Sequence, residues 1–208
     1  MKFFVNFLSI FRIIASFAII GTLWPFPNSL SQIVISENQI LATIVIFVLA
    51  AISDFLDGYL ARKYNACTKI GAVLDSVADK FLIINSFVLL CIMLQYWFIV
   101  VPIMIMIARE LYISGLREFL GANKLTVEHP KSRFAPGKIK AAMQMIAVLA
   151  FLLLALLKVG KYGTSNDVLQ IYTFCVGMFA LWFALATSIW SAVQYTFDFA
   201  RAIKKMKK

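Results

Sequence analysis

The chain has 208 residues, of which 62% are hydrophobic and 14% are charged. A soluble domain is usually about 45–50% apolar and about 25% charged, so this composition excludes an ordinary soluble globular protein and predicts a single membrane domain over 1–208. The net charge of +10 does not indicate nucleic acid binding, because so apolar a chain has no soluble basic face to offer a nucleic acid.

Six apolar segments are each long enough to cross a membrane as a helix. In chain order they lie at about 4–24, 39–61, 71–95, 97–119, 138–158 and 168–197, and a span needs about 20 residues. Lys and Arg concentrate in the connections at 62–70 and 120–137 and in the terminal stretch RAIKKMKK. Because such residues collect in cytoplasmic loops, we predict an all-α integral membrane protein, a six-transmembrane-helix bundle with both termini cytoplasmic.

Two pairs of aspartates lie at the predicted cytoplasmic ends of the second and third segments. Asp54 and Asp57 are i,i+3, and Asp75 and Asp79 are i,i+4, so each pair shares one face of its helix. The connection between the two segments is short, which predicts antiparallel neighbours whose carboxylates face one another. Clustered carboxylates repel without cations, and an all-oxygen ligand set suits Mg²⁺, Mn²⁺ or Ca²⁺.

A structural interpretation of the same aspartates is that they cap helices or pair with Arg62, Lys63 and Lys80. Four convergent aspartates favour a functional site instead, because ionisable groups in membrane spans are costly and usually functional. A membrane transporter with acidic relay residues is the alternative from another class. Its weakness is that the aspartates lie at one membrane face and that the sequence has no internal repeat.

The spacing of these residues forms a longer motif. Asp54-x2-Asp57-Gly58-x2-Ala61-Arg62-x8-Gly71-x3-Asp75-x3-Asp79 resembles the signature of the CDP-alcohol phosphotransferase family at every fixed position. The early stretch NFLSIFR resembles the family's Asn-x-Leu-Thr-x-x-Arg, with Ser9 in place of Thr. The stretches IARELYISGLREFLG, GKIKAAMQM and SIWSAVQY resemble the bacterial phosphatidylglycerophosphate synthases within that family.

The resemblance implies an enzyme that transfers a phosphatidyl group from CDP-diacylglycerol to sn-glycerol 3-phosphate and releases CMP. It implies Mg²⁺ or Mn²⁺, two ions per site, with Asp79 as general base and with four ligands: Asp54, Asp57, Asp75 and Asp79. The implied CDP-binding residues are Asp54, Asp57, Gly58, Ala61, Arg62, Gly71 and Asp75. It also implies a homodimer in the bacterial inner membrane, among membrane lipids, with the active site facing the cytoplasm.

An acceptor that carries a phosphate needs a basic pocket. Arg109 and Arg117 are eight residues apart on the fourth span, so they share a face, and Lys138 and Lys140 begin the fifth span. We predict that these four residues bind the acceptor phosphate, because arginine forms bidentate bonds to phosphate. The alternatives are interfacial anchoring for Arg117 and both lysines, and pairing of Arg109 with a carboxylate such as Glu110.

The identity of the acceptor depends on the subfamily resemblance. A basic pocket favours a phosphorylated alcohol but does not separate glycerol 3-phosphate from inositol phosphate. Serine and phosphatidylglycerol are the other acceptors within the family. Further candidates for a contact near the nucleotide or the lipid are Asn6, Ser9 and Arg12.

Overall fold

The computed structural model describes residues 2–22, 35–63, 69–123, 136–159 and 167–206. Within these ranges the chain forms six helices and no strand, which confirms the all-α prediction for the described residues. The helices are α1 (Lys2–Gly21), α2 (Glu37–Lys63), α3 (Lys69–Leu94), α4 (Trp97–Ala122), α5 (Pro136–Val159) and α6 (Asp167–Met206). The predicted segments match these helices, except that α6 extends beyond the predicted 168–197 to Met206, into the basic stretch RAIKKMKK.

Five of the described helices are long and apolar enough to span a membrane. The spans are Glu37–Asp54, Val73–Leu94, Trp97–Ala122, Ile139–Val159 and Asp167–Lys204. The protein is therefore a multi-pass membrane protein. The described apolar part of α1, Phe7–Gly21, is shorter than a full span. The sixth span and the cytoplasmic location of both termini stay predictions.

The distribution of side chains on α1 is the reverse of that on a soluble helix. Ser9, Arg12 and Ser16 are fully buried, whereas Ile14 and Phe17 are more than half exposed. Small and polar residues at helix contacts, with large apolar residues outward, are typical of helices surrounded by lipid. The pattern supports a membrane location for α1 in spite of its short apolar stretch.

The described residues form two compact units. One comprises Met1–Gln95 and Met145–Gly177, and the other comprises Tyr96–Gln144 and Met178–Lys208. Both α5 and α6 pass from one unit to the other along their length. The prediction of a single domain over 1–208 stays a prediction.

In the first unit, α1 packs against both α2 and α3. Near the end of α1, the hydroxyls of Thr22 and Thr43 lie 2.7 Å apart and join it to α2. On the other side, the Asn85 side-chain amide of α3 donates to the backbone carbonyl of Ser16 at 3.2 Å. Such hydrogen bonds between membrane helices each contribute about 0.6 kcal/mol and hold the three helices in register.

In the second unit, α4 packs against the later part of α6. Ile113, Leu120 and Tyr195 form its buried cluster. Arg109 of α4 donates through Nε to the backbone carbonyl of Ser188 at 3.0 Å, which adds a polar link between the two helices. This hydrogen bond holds Arg109 at the level of Ser188 on α6.

Candidate active site

The aspartates of α2 and α3 lie on the same helix faces as the residues that are buried against α1. On α2, buried Ala50 precedes Asp54 by four residues. On α3, Asp75 and Asp79 precede fully buried Leu82 by seven and three residues. Because residues three, four and seven apart share a helix face, the packing of α2 and α3 on α1 turns these three carboxylates toward one place.

Asp54, Asp75 and Asp79 form a carboxylate cluster close enough together to hold a metal ion. One carboxylate oxygen from each residue lies within 4.8 Å of the others. Their side chains are 33%, 46% and 46% exposed, so the cluster is open on one side. The predicted convergence of the signature aspartates is therefore present for the three whose side chains the structure describes.

Arg12 of α1 lies at the centre of this cluster. Its guanidinium is fully buried and donates through Nη1 to Asp54 Oδ1 at 2.7 Å and through Nη2 to Asp75 Oδ1 at 3.1 Å. Nη1 also donates to Asp79 Oδ1. One side chain thus bonds carboxylates from two helices, and these are charge-assisted bonds of the stronger kind.

The donor set fits a hard divalent cation. Three carboxylates and one guanidinium leave a net charge of −2 in the described cluster. All the potential ligand atoms are oxygens, which is the set that Mg²⁺ and Mn²⁺ prefer. The partial exposure of the three carboxylates leaves room for an ion and for an anionic substrate.

Several residues of the signature are described only by their backbone. Asp57, Gly58, Ala61 and Arg62 lie on the last turns of α2, and their side chains fall outside the described part of the chain. Gly71 lies in the first turn of α3 and is buried. The proposed contacts of these residues with CDP stay predictions.

Among the described residues, the expected contact between α2 and α3 is a minor one. Both helices pack mainly on α1, and they contact each other slightly. Ser9, Ala15 and Ser16 are small, buried residues on α1, and they allow α2 and α3 to approach it closely. The three described carboxylates meet around Arg12 of α1.

A second polar cluster lies in the second unit. Arg109 Nη1 donates to Glu110 Oε1 at 3.0 Å, and Lys140 of α5 also pairs with Glu110 Oε1. Nη2 of Arg109 donates to the Ser191 hydroxyl at 2.9 Å. Two of the four residues predicted for the acceptor phosphate, Arg109 and Lys140, thus converge on one carboxylate oxygen.

The other two predicted residues of that set behave differently. Arg117 is exposed and its guanidinium carbon lies 5.5 Å from the centre of the Tyr195 ring. A cation over an aromatic ring gains about 0.5–1 kcal/mol at an exposed site. Lys138 lies in the first turn of α5, and its side chain is outside the described residues.

Two residues have a larger part in these clusters than the sequence interpretation gave them. Arg12 was only a further candidate, and Glu110 was only a possible partner of Arg109. A signal was present for both, because each is an ionisable residue inside an apolar segment, where such groups are usually functional. The sequence has no signal that pairs Arg12 with residues more than 40 positions away.

Comparison with known proteins decides the family. Residues 3–190 match the sequence model of CDP-alcohol phosphatidyltransferases. The chain belongs to this family. The resemblance inferred from the aspartate motif is therefore confirmed, and so is the interpretation as an enzyme in place of a transporter. In this CDP-alcohol phosphatidyltransferase, three of the four signature aspartates, Asp54, Asp75 and Asp79, gather around Arg12 in the described part of the chain.

Relatives extend the similarity over nearly the whole CDP-alcohol phosphatidyltransferase chain. A protein of Rickettsia typhi is 36% identical over 94% of this chain and 96% of its own length. A Haemophilus influenzae protein is 34% identical over 94% of this chain and 92% of its own length. A Rickettsia felis protein is 39% identical over 73% of this chain and 75% of its own length. All three are named CDP-diacylglycerol–glycerol-3-phosphate 3-phosphatidyltransferase.

Proposed function

We propose that the protein transfers the phosphatidyl group of CDP-diacylglycerol to sn-glycerol 3-phosphate. A hydroxyl of the acceptor attacks the phosphorus that carries diacylglycerol, a new P–O bond forms, and the P–O bond to CMP breaks. The products are phosphatidylglycerol phosphate and CMP. The observation that carries the proposal is the convergence of Asp54, Asp75 and Asp79 in a chain whose near full-length relatives bear this name.

The aspartates have two roles in this proposal. Asp54, Asp57, Asp75 and Asp79 hold Mg²⁺ or Mn²⁺, two ions per site. The bound ions supply electrostatic stabilisation of the diphosphate and of the charge that develops on it. Asp79 takes the proton of the attacking hydroxyl onto its carboxylate. No covalent intermediate with the protein is needed, because phosphoryl-type transfer depends more on positioning and charge than on covalent help. The CDP moiety contacts Gly58, Ala61, Arg62 and Gly71.

The acceptor phosphate binds, in this proposal, to Arg109, Arg117, Lys138 and Lys140. Support comes from Arg109 and Lys140, which both reach the same oxygen of Glu110 and so can engage one anionic group together. The bonds from Arg109 to Ser188 and Ser191 hold its guanidinium in a fixed orientation. Fixed donors lose less conformational entropy when an anion binds.

The cellular setting is inferred from the positions of basic residues and from the family. We propose a location in the bacterial inner membrane with the active site facing the cytoplasm, and a homodimeric assembly. An acceptor other than glycerol 3-phosphate, such as inositol phosphate, serine or phosphatidylglycerol, is the alternative within the family. The names of the relatives favour glycerol 3-phosphate.

CMP release by the purified full-length protein tests the proposal. The protein is reconstituted with CDP-diacylglycerol and Mg²⁺ or Mn²⁺ and is offered glycerol 3-phosphate, inositol phosphate, serine or phosphatidylglycerol. We expect the fastest release with glycerol 3-phosphate and no release after EDTA treatment. Release with serine or inositol phosphate alone would overturn the assignment of the acceptor, and full activity in EDTA would overturn the metal-assisted mechanism.

A further inference from the structure

We propose that Arg12 is an internal counter-ion of the carboxylate cluster and competes with divalent metal for it. The guanidinium is fully buried and bonds three of the four carboxylates that the proposed function assigns to the metal. Arg12 contacts the carboxylates of both α2 and α3, which are the residues proposed to hold the ion.

The competition follows from the geometry of the bonds. Nη1 donates to both Asp54 and Asp79, and Nη2 donates to Asp75. A metal ion that takes these carboxylates as ligands must approach their oxygens to about 2.0–2.2 Å. A divalent cation that takes the same Oδ1 atoms lies within a few ångströms of the guanidinium, and their like charges repel. Metal binding is therefore expected to weaken or break at least some of the Arg12 bonds.

Charge balance leads to the same conclusion. The four signature aspartates carry four negative charges, which two divalent ions neutralise completely. A guanidinium left in the centre would then be a buried excess charge, which is strongly unfavourable. Without metal, the same guanidinium is needed, because the carboxylates of α2 and α3 would otherwise repel one another. Arg12 thus stabilises the packing of α1 with α2 and α3 when metal is absent and lowers the affinity for metal.

This inference rests on the proposed metal-binding role of the aspartates, and its test reads metal binding and stability, not activity. Full-length protein is stripped of metal with EDTA, which is then removed, and is titrated with Mn²⁺ by calorimetry and electron paramagnetic resonance. Arg12→Gln removes the charge and keeps a polar side chain. We expect the dissociation constant of this variant for Mn²⁺ to be about tenfold lower than that of the wild-type protein, because the ion no longer breaks charge-assisted bonds.

Stability without metal provides the second measurement. In EDTA, Arg12→Gln is expected to melt at a lower temperature than wild type, and Mn²⁺ is expected to restore more of its stability than it adds to wild type. Arg201→Gln is the matched control, because Arg201 is exposed and reaches Asp198 only at 3.5 Å. It should change neither quantity. If Arg12→Gln does not fold, Arg12→Lys serves instead, since one ammonium cannot reproduce the two-nitrogen bonding of the guanidinium.

The outcomes separate this inference from the proposed function. Wild-type protein that binds Mn²⁺ together with Arg12 variants that bind it equally or more weakly would overturn the competition and leave the metal site intact. Wild-type protein that binds no Mn²⁺ would overturn the proposed metal site and this inference with it. Tighter binding by the variants, with lower stability in EDTA, supports it.

Discussion

Arg12 and Asp54 are 42 positions apart in the chain, yet Nη1 of Arg12 lies 2.7 Å from Oδ1 of Asp54. This bond links α1 to the first half of the aspartate motif. A second bond, from Nη2 to Asp75 at 3.1 Å, links α1 to the other half. The first helix is therefore part of the candidate active site of this CDP-alcohol phosphatidyltransferase, and the motif on α2 and α3 is completed by a residue outside it.

We expect Asp79→Asn to abolish turnover and to keep nucleotide binding. The amide cannot accept the proton of the acceptor hydroxyl, whereas the remaining aspartates would still hold the metal that we propose binds the diphosphate. CMP release measures turnover, and calorimetric titration with CDP measures binding. Asp167→Asn is the control, because Asp167 is exposed in the first turn of α6. Retained turnover in Asp79→Asn would exclude Asp79 as the base.

Arg109→Ala should weaken the use of glycerol 3-phosphate more than that of CDP-diacylglycerol. Loss of a charge-assisted contact to phosphate is expected to raise the KM for glycerol 3-phosphate by roughly tenfold to a hundredfold. Ser191→Ala, which removes one hydrogen bond of Arg109 but keeps its charge, should have a smaller effect. Steady-state kinetics with each substrate varied in turn provide the measurement. Equal losses for both substrates would count against an acceptor-phosphate site.

Glu110→Gln should lower thermal stability. The substitution leaves Arg109 and Lys140, which are only 11% and 10% exposed, without their shared carboxylate. Removal of one partner from a buried ion pair typically costs about 3–5 kcal/mol. Thermal unfolding in detergent gives the change, with Glu118→Gln as an exposed control. An unchanged melting temperature for Glu110→Gln would mean that the cluster does not stabilise α4 against α5.

Two glycine substitutions should change stability in opposite directions. A Cβ at Gly177 would lie 3.1 to 3.3 Å from three ring carbons of Phe151, so Gly177→Ala should displace the ring and destabilise the protein. A Cβ at Gly115 of α4 meets nothing within 4 Å. Gly115→Ala should therefore stabilise its helix by up to about 1 kcal/mol. A melting temperature for Gly177→Ala that is unchanged or higher would contradict the close contact of Gly177 with Phe151.

By itself, the sequence was enough to predict the helices of the described residues, the class of protein and the family. Long apolar segments have to satisfy their backbone hydrogen bonds internally, so they form helices whatever their neighbours are. Helical spacing likewise put each aspartate pair on one face, because that geometry depends only on residues a few positions apart. The family followed from a motif confined to 54–79.

Only the tertiary structure decided which helix the described aspartates face and which basic side chain bonds them. The packing of α1 against α2 and α3 depends on small residues such as Ser16 and on contacts between distant segments, such as that between Asn85 and Ser16. No local spacing encodes these contacts. For the same reason the convergence of Arg109 and Lys140 on Glu110 appears only when α4 and α5 are packed together. Charges in a membrane protein are paired by helix packing, and helix packing is a property of the folded chain.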